Sequence, residues 1–536
     1  MTATHRNVRD VARDPRLAAL VAIAAGAALL GAAVVIGASS TIGLVSVGIG
    51  LALLASLASL RWPRTVTVIV ILTPILDRYI IADWLPRSVE LITHLLSEGM
   101  LLSVGLALTI HAWRTGRLVP ALRHPTSIGF ALFAVIAILS TAANAVPPEI
   151  ATMGVAMTLD ACACFYLPRL VGFSTRQVMA AVAVIVILVF ISGLGGLGQW
   201  TLRPDLFGLR AIQGRYGEVW RLASIFSDPN TFGALLIGVI PFATFAITAL
   251  RRPAYRIAGI ALAILLFMPL YLSFSRGAWA GLLIGGGLAL ALMSWRTLAV
   301  TVAIAVVSFF LAVNAPREIL LPPRTPLAAL SPRPTILPNA SPVATPNLES
   351  PDRPRQPSIV DSTIARLSEI WAGEDLRTLL VLNGIPIVRD HPLLGVGPGR
   401  WGGAAADIFG SPVYDEYATG ELIAGSPQQR TVDNFWLHTL VETGIPGFVA
   451  FVGAGLAAGI PILRAARRAT GWQRVLLGGI GAGAAAIAVN SVTTMLLEAN
   501  AVAFLLWFLL GLGSVLVVQV VEEARPDVPR EVLPAA

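Results

Sequence analysis

Long apolar segments, separated by polar connections, recur from one end of the chain to the other. A helix of about 20 apolar residues spans the hydrocarbon core of a bilayer, and about fourteen segments approach that length. The pattern predicts an all-α polytopic membrane protein with about 14 transmembrane helices, and about 12 as the lower bound. The segments cover about 17–38, 41–60, 65–82, 91–112, 127–145, 150–168, 177–198, 231–250, 256–274, 278–295, 297–315, 444–463, 475–496 and 500–520.

Composition excludes most other classes of protein. Of the 536 residues, 56% are hydrophobic and 13% are charged, whereas soluble globular domains carry roughly 25% charged residues. The mean hydropathy is +0.78. A soluble enzyme, a disordered chain and a fibrous protein are all incompatible with these values.

The arginines predict the orientation of the chain. All 38 basic residues are arginines. With both termini in the cytoplasm, 21 arginines fall inside, 7 fall in short outer loops and 10 fall in one long outer loop. Short cytoplasmic loops are enriched in basic residues, so this orientation is favoured. The inner segments then carry +15 and the remainder −7, which sum to the net +8. The pI of about 10.2 therefore reflects topology, and a nucleic acid is not an expected partner.

Hydropathy and composition divide the chain into six regions. The linker among them holds 12 prolines in 42 residues, so it is expected to be extended rather than helical. The loop that follows combines a helix-like stretch with the Gly/Pro turn DHPLLGVGPGRWGG. The regions are N-terminal transmembrane helices (1–198), core transmembrane helices with an arginine-bearing outer loop (199–315), a Pro-rich extracytoplasmic linker (316–357), a folded extracytoplasmic loop (358–434), C-terminal transmembrane helices (435–522) and a cytoplasmic tail (523–536).

Two arginines at the outer boundary are candidates for binding an anion. Arg276 lies in SFSRGAWAGL between two apolar runs, and Arg221 begins RLASIFSDPNTFG, where the outer loop re-enters the membrane. An arginine at membrane depth is costly unless it is paired or faces a polar cavity, and guanidinium matches phosphate oxygens. The structural alternatives are an Arg276 side chain that reaches the interface and a solvated Arg221. Asp228 or Asn230 is expected to cap the next helix, with Pro229 at its start.

A second group of polar residues opens the helix that follows the long loop. Asn434, His438 and Glu442 are four residues apart, which places them on one helix face, and we expect that face to point into an outer vestibule. Asp433 precedes them and could cap the helix. Taken singly, a capping Asp433 and a packing His438 are good structural explanations, but their convergence favours a site.

Other polar features carry less weight. Glu98 and Asp160 lie within apolar segments, where an acid suggests an ion path or a buried partner. No acid pattern repeats along several helices, so structural hydrogen bonds are the favoured interpretation. GVGPGRWGG lacks the strand and the lysine of a phosphate-binding loop, and it predicts a tight turn that forms a wall of the site. No metal-ligand spacing is apparent, so neither a cofactor nor a metal is expected.

Four motifs in this order resemble the O-antigen ligase and polymerase superfamily of bacterial envelope glycosyltransferases. They are RLASIFSDPNTFG, SFSRGAWAGL, RTLLVLNGIPIVRDHPLLGVGPGRW and DNFWLHTLVETGIPGFVAF. The similarity covers roughly 200–465, and the N-terminal third matches only as hydrophobic helices. The resemblance implies transfer of a glycan from a polyprenyl diphosphate to a sugar or lipid acceptor, at the outer face of the bacterial inner membrane and without nucleotide or metal.

The resemblance also implies roles for individual residues. Arg221, Arg276 and Arg377 match arginines that hold the diphosphate. Asp433 and Asn434 match the His-Asn pair that opens the last motif, and Glu442 matches its acid. Family ligases commonly have histidine at the Asp433 position, so ligase and polymerase activities stay equally open. The Pro-rich linker is not explained by the family pattern.

Two other classes of function compete with this interpretation. A flippase or solute carrier of the envelope also fits many spans with both termini inside, although carriers usually bind substrate near the bilayer midplane and often show internal repeats. A non-catalytic assembly factor would tolerate the loss of Arg221, Arg276 and Asp433.

Overall fold

The protein is described from a computed structural model that covers residues 41–80, 87–201, 210–214, 217–226, 228–314, 364, 368, 376–417 and 431–523. The elements are numbered along these residues. Helices are α1 (Thr41–Arg61), α2 (Pro63–Ile80), α3 (Arg87–Arg114), α4 (Leu118–Leu122), α5 (Pro125–Ala143), α6 (Pro148–Leu159), α7 (Leu167–Val171), α8 (Thr175–Thr201), α9 (Pro229–Ala249), α10 (Pro253–Leu272), α11 (Arg276–Ala280), α12 (Gly287–Met293), α13 (Trp295–Val313), α14 (Leu376–Asp390), α15 (Ala404–Phe409), α16 (Pro412–Glu416), α17 (Phe435–Arg468), α18 (Gly471–Asn490) and α19 (Asn500–Glu523).

Within these residues, ten helical stretches are long and apolar enough to cross a membrane. Each corresponds to one of the last ten predicted segments, from 127–145 to 500–520. The next three predicted segments towards the N-terminus coincide with α1, α2 and α3. The ten helices identify a polytopic helical membrane protein. The first predicted segment, 17–38, lies outside the described residues, so the total of about 14 spans stays a prediction.

One short hairpin is an exception to the prediction of a purely α-helical chain. Strands β1 (Arg210–Gly214) and β2 (Gly217–Arg221) pair antiparallel in the connection between α8 and α9. Arg210 pairs with Arg221 in its register. Each strand has only two adjacent apolar residues, Ala211–Ile212 and Val219–Trp220, between glycine and polar or charged positions. The sequence therefore lacks the apolar–polar alternation that predicts a strand.

The most deeply buried spans are α9 and α19. In their apolar stretches 78% and 83% of the residues are buried, compared with 28% in α5 and α13. Close packing of α9 on α18 depends on small residues, since a Cβ on Gly483 would lie 2.4 Å from the carbonyl oxygen of Gly238. Small residues of this kind let helix backbones approach each other.

Several arginines that we predict to be cytoplasmic bind the carbonyl oxygens at helix ends. Arg64 Nε donates to Gly172 O at 3.2 Å, and Arg117 Nη1 donates to Val171 O at 3.1 Å, where α7 ends. Arg474 Nη2 donates to Met293 O at 3.4 Å at the end of α12. The last carbonyls of a helix lack partners within it and carry partial negative charge. These arginines therefore stabilise helix ends.

Helix packing at Gly483 provides a test of the fold. We expect Gly483→Ala to destabilise the protein by about 1–3 kcal/mol, because the new methyl overlaps backbone that cannot move alone. Gly455→Ala in α17 is the matched control, since a Cβ added to Gly455 would have no other atom within 4 Å. Thermal unfolding in detergent should show a lower midpoint only for Gly483→Ala, and equal midpoints would contradict the packing.

Candidate functional site

Arg221 is anchored at the point where the β1–β2 hairpin returns to the helices. Its Nε donates to the carbonyl oxygen of Ser273 at 2.9 Å, and its Nη2 donates to Asn230 Oδ1 at 2.8 Å. The backbone of the next residue, Leu222, donates to Leu272 O at 3.1 Å. The end of β2 is thereby tied to the end of α10 and to the first turn of α9.

The segment Ser273–Ser275, between α10 and α11, is a break in helical structure. Phe274 has a left-handed backbone (φ 50°), an uncommon conformation for a bulky residue. Ser275 Oγ and Arg221 both lie within hydrogen-bond distance of Asn230 Oδ1. As predicted, Asp228 caps α9 by accepting from two backbone N–H groups, and Pro229 is its first residue.

Arg276 is the first residue of α11 and directly follows this break. Its position is tied to the end of α18, because Gly277 lies very close to two side chains there. A Cβ on Gly277 would be 2.7 Å from Asn490 Oδ1 and closer still to Thr493 Oγ1. Arg221 and Arg276, about 55 residues apart in the chain, thus border the same break.

The end of α18 also contacts the beginning of α17. Phe435 N donates to Ser491 O at 3.0 Å. Asn434 caps α17, since its Oδ1 accepts from Leu437 N at 3.0 Å. The expectation that Asp433 caps this helix is therefore wrong. Asp433 has a left-handed backbone (φ 51°), is half-buried, and accepts from Thr431 Oγ1 at 3.3 Å.

His438 and Glu442 lie on one face of α17 but do not point into an outer vestibule, which corrects that expectation. They are only 1% and 3% exposed. Glu442 Oε2 accepts from Gly399 N at 2.9 Å, and Oε1 accepts from Trp401 N at 2.8 Å. His438 Nδ1 bonds to the carbonyl oxygen of Trp401. Both side chains are covered by the turn that follows α14.

That turn is fitted against a kink in α17, which confirms the prediction of a tight turn. Gly444 interrupts the helix with φ 68°. The interruption leaves Val441 O and Glu442 O without helical partners, and they accept from Val396 N at 3.0 Å and Gly397 N at 3.1 Å. Gly395 (φ 64°) has no room for a side chain, because a Cβ would lie 2.4 Å from Val441 O.

Glu498 is a buried acid that sequence reasoning missed. Its Oε1 lies 3.0 Å from His438 Nε2, and its Oε2 accepts from Ala404 N at 3.2 Å. Burial alone would raise the pKa of Glu498, but the neighbouring His438 and these hydrogen bonds hold the pKa below its usual value. The available signal was an acid in the short break between two apolar segments, the same feature that drew attention to Arg276.

The remaining predicted polar residues lie elsewhere in the fold. Arg377 is the second residue of α14, and its side chain lies outside the described residues. Glu98 Oε1 accepts from Asn500 Nδ2 at 3.1 Å, and Asp160 caps the 3-10 turn Ala161–Phe165. These bonds confirm the structural interpretation of both acids. Among the described residues, no group of three or more side chains is arranged to hold a metal ion.

The fold defines a polytopic helical membrane protein in which Arg221 and Arg276 border one helix break and a buried His438 lies between two carboxylates. The family model described as O-Antigen ligase matches residues 261–452, and this match supports membership of the O-antigen ligase and polymerase superfamily. The members are glycosyltransferase-like enzymes of polysaccharide biosynthesis, so an enzyme of this general kind is supported. The match includes Arg276, Asp433 and Glu442, whereas Arg221 and Glu498 lie outside it. No curated protein matches the chain.

The bonds of Glu442 provide a test of how the turn is held. We expect Glu442→Gln to cost about 1–3 kcal/mol of stability, because the amide nitrogen would face a backbone N–H and leave one buried donor unsatisfied. Thermal unfolding in detergent measures this change. Glu416→Gln, at an exposed position in α16, is the matched control, and equal unfolding midpoints would contradict the role of Glu442.

Proposed function

We propose that the protein is a membrane glycosyltransferase that moves a glycan from a polyprenyl diphosphate to an acceptor hydroxyl on the extracytoplasmic face. The observation that carries this proposal is that Arg221 and Arg276 border one helix break, and that the end of α18 contacts both Gly277, next to Arg276, and Phe435, which follows Asp433 and Asn434 in the chain. Guanidinium groups and a carboxylate suit a reaction in which an anion leaves and a hydroxyl loses its proton.

The proposed step is a single displacement at the anomeric carbon. The acceptor oxygen attacks that carbon and forms the new glycosidic bond, while the bond between the anomeric carbon and the phosphate oxygen breaks. The acceptor proton passes to the Asp433 carboxylate, and polyprenyl diphosphate leaves with the bonding electrons. Attack opposite the leaving group inverts the anomeric configuration.

Arg221 and Arg276 would stabilise the charge that develops on the leaving diphosphate. Fixed cations in a poorly hydrated site need little reorganisation as the charge grows, which is the main advantage of such sites. The hydrogen bonds of Arg221 to Ser273 and Asn230 fix its guanidinium in advance. We assign Arg377 to the same anion on the strength of the family motif.

Asp433 is the residue we assign as general base. Its side chain is half-buried and its backbone is held in a left-handed conformation, a kind of strain that clusters at functional sites. Asn434, His438 and Glu442 belong to the same motif. Asn434 bonds to the start of α17, and His438 and Glu442 bond to the turn, so we assign these three residues the role of positioning the base.

The surrounding regions follow from this assignment. The lipid tail would enter between helices, and residues 316–434 would form the extracytoplasmic part that admits the acceptor. Both termini would lie in the cytoplasm of a bacterium, with the protein in its inner membrane. The linker 316–357 would act as a tether, and lipid and glycan are the expected partners. A ligase and a polymerase would share this chemistry and differ in the acceptor.

Removal of either outer arginine tests the anion site. We expect Arg276→Ala and Arg221→Ala to lower glycan transfer on the order of 100-fold or more, because each removes a fixed cation from the leaving group. Transfer by purified protein in vesicles and accumulation of the lipid-linked glycan in cells are the measurements. Arg389→Ala, at an exposed position near the end of α14, is the matched control.

The same experiment separates the competing functions. Normal surface glycan in both variants would refute the glycosyltransferase. Movement of substrate across vesicles without a new glycosidic bond would instead identify a flippase or another transporter.

Replacement of the carboxylate tests the base. Asp433→Asn should lower the rate roughly 100- to 10,000-fold, the usual range for general acid–base catalysis. Asparagine tolerates the left-handed backbone that Asp433 adopts, so the fold should persist, and circular dichroism can verify this. Asp415→Asn, at an exposed position in α16, should leave the rate unchanged. A fully active Asp433→Asn protein would exclude Asp433 as the base.

A further inference from the structure

The imidazole of His438 lies between two buried carboxylates from different parts of the chain. Its Nε2 is 3.0 Å from Glu498 Oε1 and 3.6 Å from Glu442 Oε2. The three side chains, which we call the His438 triad, are 1%, 7% and 3% exposed for His438, Glu498 and Glu442. Ionised groups this deeply buried are retained only with compensating partners.

The partners of His438 indicate which protons its ring carries. The Trp401 carbonyl oxygen can only accept a hydrogen bond, so Nδ1 carries a proton. Nε2 lies close to oxygens of two carboxylates, and ionised carboxylates at these distances favour the imidazolium form. An imidazolium has no free nitrogen with which to take a proton from substrate.

The outer loop closes over this triad through its backbone. Gly399 N and Trp401 N donate to Glu442, and Ala404 N donates to Glu498. Gly403 packs between the side chains, because a Cβ there would lie 2.6 Å from Glu498 Oε1 and 2.7 Å from His438 Cε1. Residues 399–404 are therefore held to α17 by Glu442 and to the α18–α19 connection by Glu498.

The α18–α19 connection joins the two halves of the proposed site. Thr493 lies against Gly277, directly after Arg276. Ser491 O accepts from Phe435 N at the start of α17. Glu498, seven residues after Ser491, reaches His438 one turn into the same helix. One short segment thus contacts the arginine side of the site, the start of the helix that follows the base, and the outer loop.

We propose that Glu498 is a positioning residue of this enzyme: by holding His438 and residues 399–404 together, it sets where Asp433 stands relative to Arg276. This inference rests on the proposed glycosyl transfer. Glu498 itself touches no reacting atom in this scheme, and its effect passes through His438. Misplacement of a reacting group by about 1 Å can cost on the order of 100-fold in rate.

The closing experiment measures loop position and catalysis separately. Ala406, 1% exposed in α15, is replaced by cysteine, and its labelling by a water-soluble maleimide reports opening of the loop. The parent chain without this substitution is the blank, because Cys162 and Cys164 are both buried. Labelling is compared among Glu498→Ala, Glu498→Gln and the exposed control Glu416→Gln, each made in the Ala406→Cys protein. The values of kcat and of KM for the donor are measured in the same three variants without the cysteine and are expressed per folded protein.

We expect Glu498→Ala to raise the labelling rate at least about tenfold and to lower kcat on the order of 100-fold, with the donor KM unchanged because both arginines remain. Glu498→Gln keeps only one of the two acceptor oxygens, which can serve His438 or Ala404 N but not both. It should therefore recover all but about tenfold of kcat, roughly the cost of one lost hydrogen bond. Partial rescue by an isosteric side chain is not expected if the variants are merely misfolded. Glu416→Gln should match the parent in every measurement.

Two results would overturn the inference. Labelling of folded Glu498→Ala at the parent rate would show that Glu498 does not hold the loop. Parent-like kcat in both Glu498 variants would show that it does not position the site. A parent protein that transfers no glycan would refute the proposed function, and the labelling rates would then decide alone whether Glu498 holds the loop.

Discussion

Every helix that breaks within an apolar surrounding exposes backbone N–H and C=O groups that need a partner, and this requirement determines where the site forms. Unpaired backbone groups in hydrocarbon cost several kcal/mol each, so irregular backbone survives only where protein covers it. Two breaks in the described part of the chain illustrate this requirement. Arg221 binds the carbonyl of Ser273 at one break, and the turn at Val396–Gly397 supplies N–H groups to the α17 kink at the other. The polar residues of the candidate site therefore lie at these breaks, where they bind exposed backbone groups or lie next to them.

Charge is distributed along the chain by the same logic. Arg64, Arg117 and Arg474 lie at the ends of helices and donate to their last carbonyls, where a cation is favourable. Glu442 and Glu498 do the converse by accepting from loop N–H groups. Hydrogen bonds to backbone groups thus explain the positions of these charged side chains. Arg276 and Asp433 differ, because they are half-buried and lie directly beside a break or a helix start, and these are the charges to which we assign the chemistry.

The sequence predicted the helices well because a run of about 20 apolar residues has few alternatives. It also identified Asp228 and Pro229 as a helix start, since capping is a local property of a few neighbouring residues. Convergence of residues distant in the chain could not be read in this way. Helical spacing placed His438 and Glu442 on one face but could not say whether that face is covered, and it is covered by a turn about 40 residues earlier.

The location of Glu498 shows where sequence reasoning reaches its limit. Its partner His438 is about 60 residues away, and neither residue lies in a pattern that suggests the other. What the sequence does contain is an acid in a connection too short to be a solvated loop, between apolar segments 475–496 and 500–520. Burial of such a charge without a partner is costly, so the position alone implies a cation nearby. Arg276 also lies in a short connection between two spans, and a charge there likewise needs a partner. In apolar chains of this kind, a charge in a short connection is therefore stronger evidence of a site than a charge in a long loop.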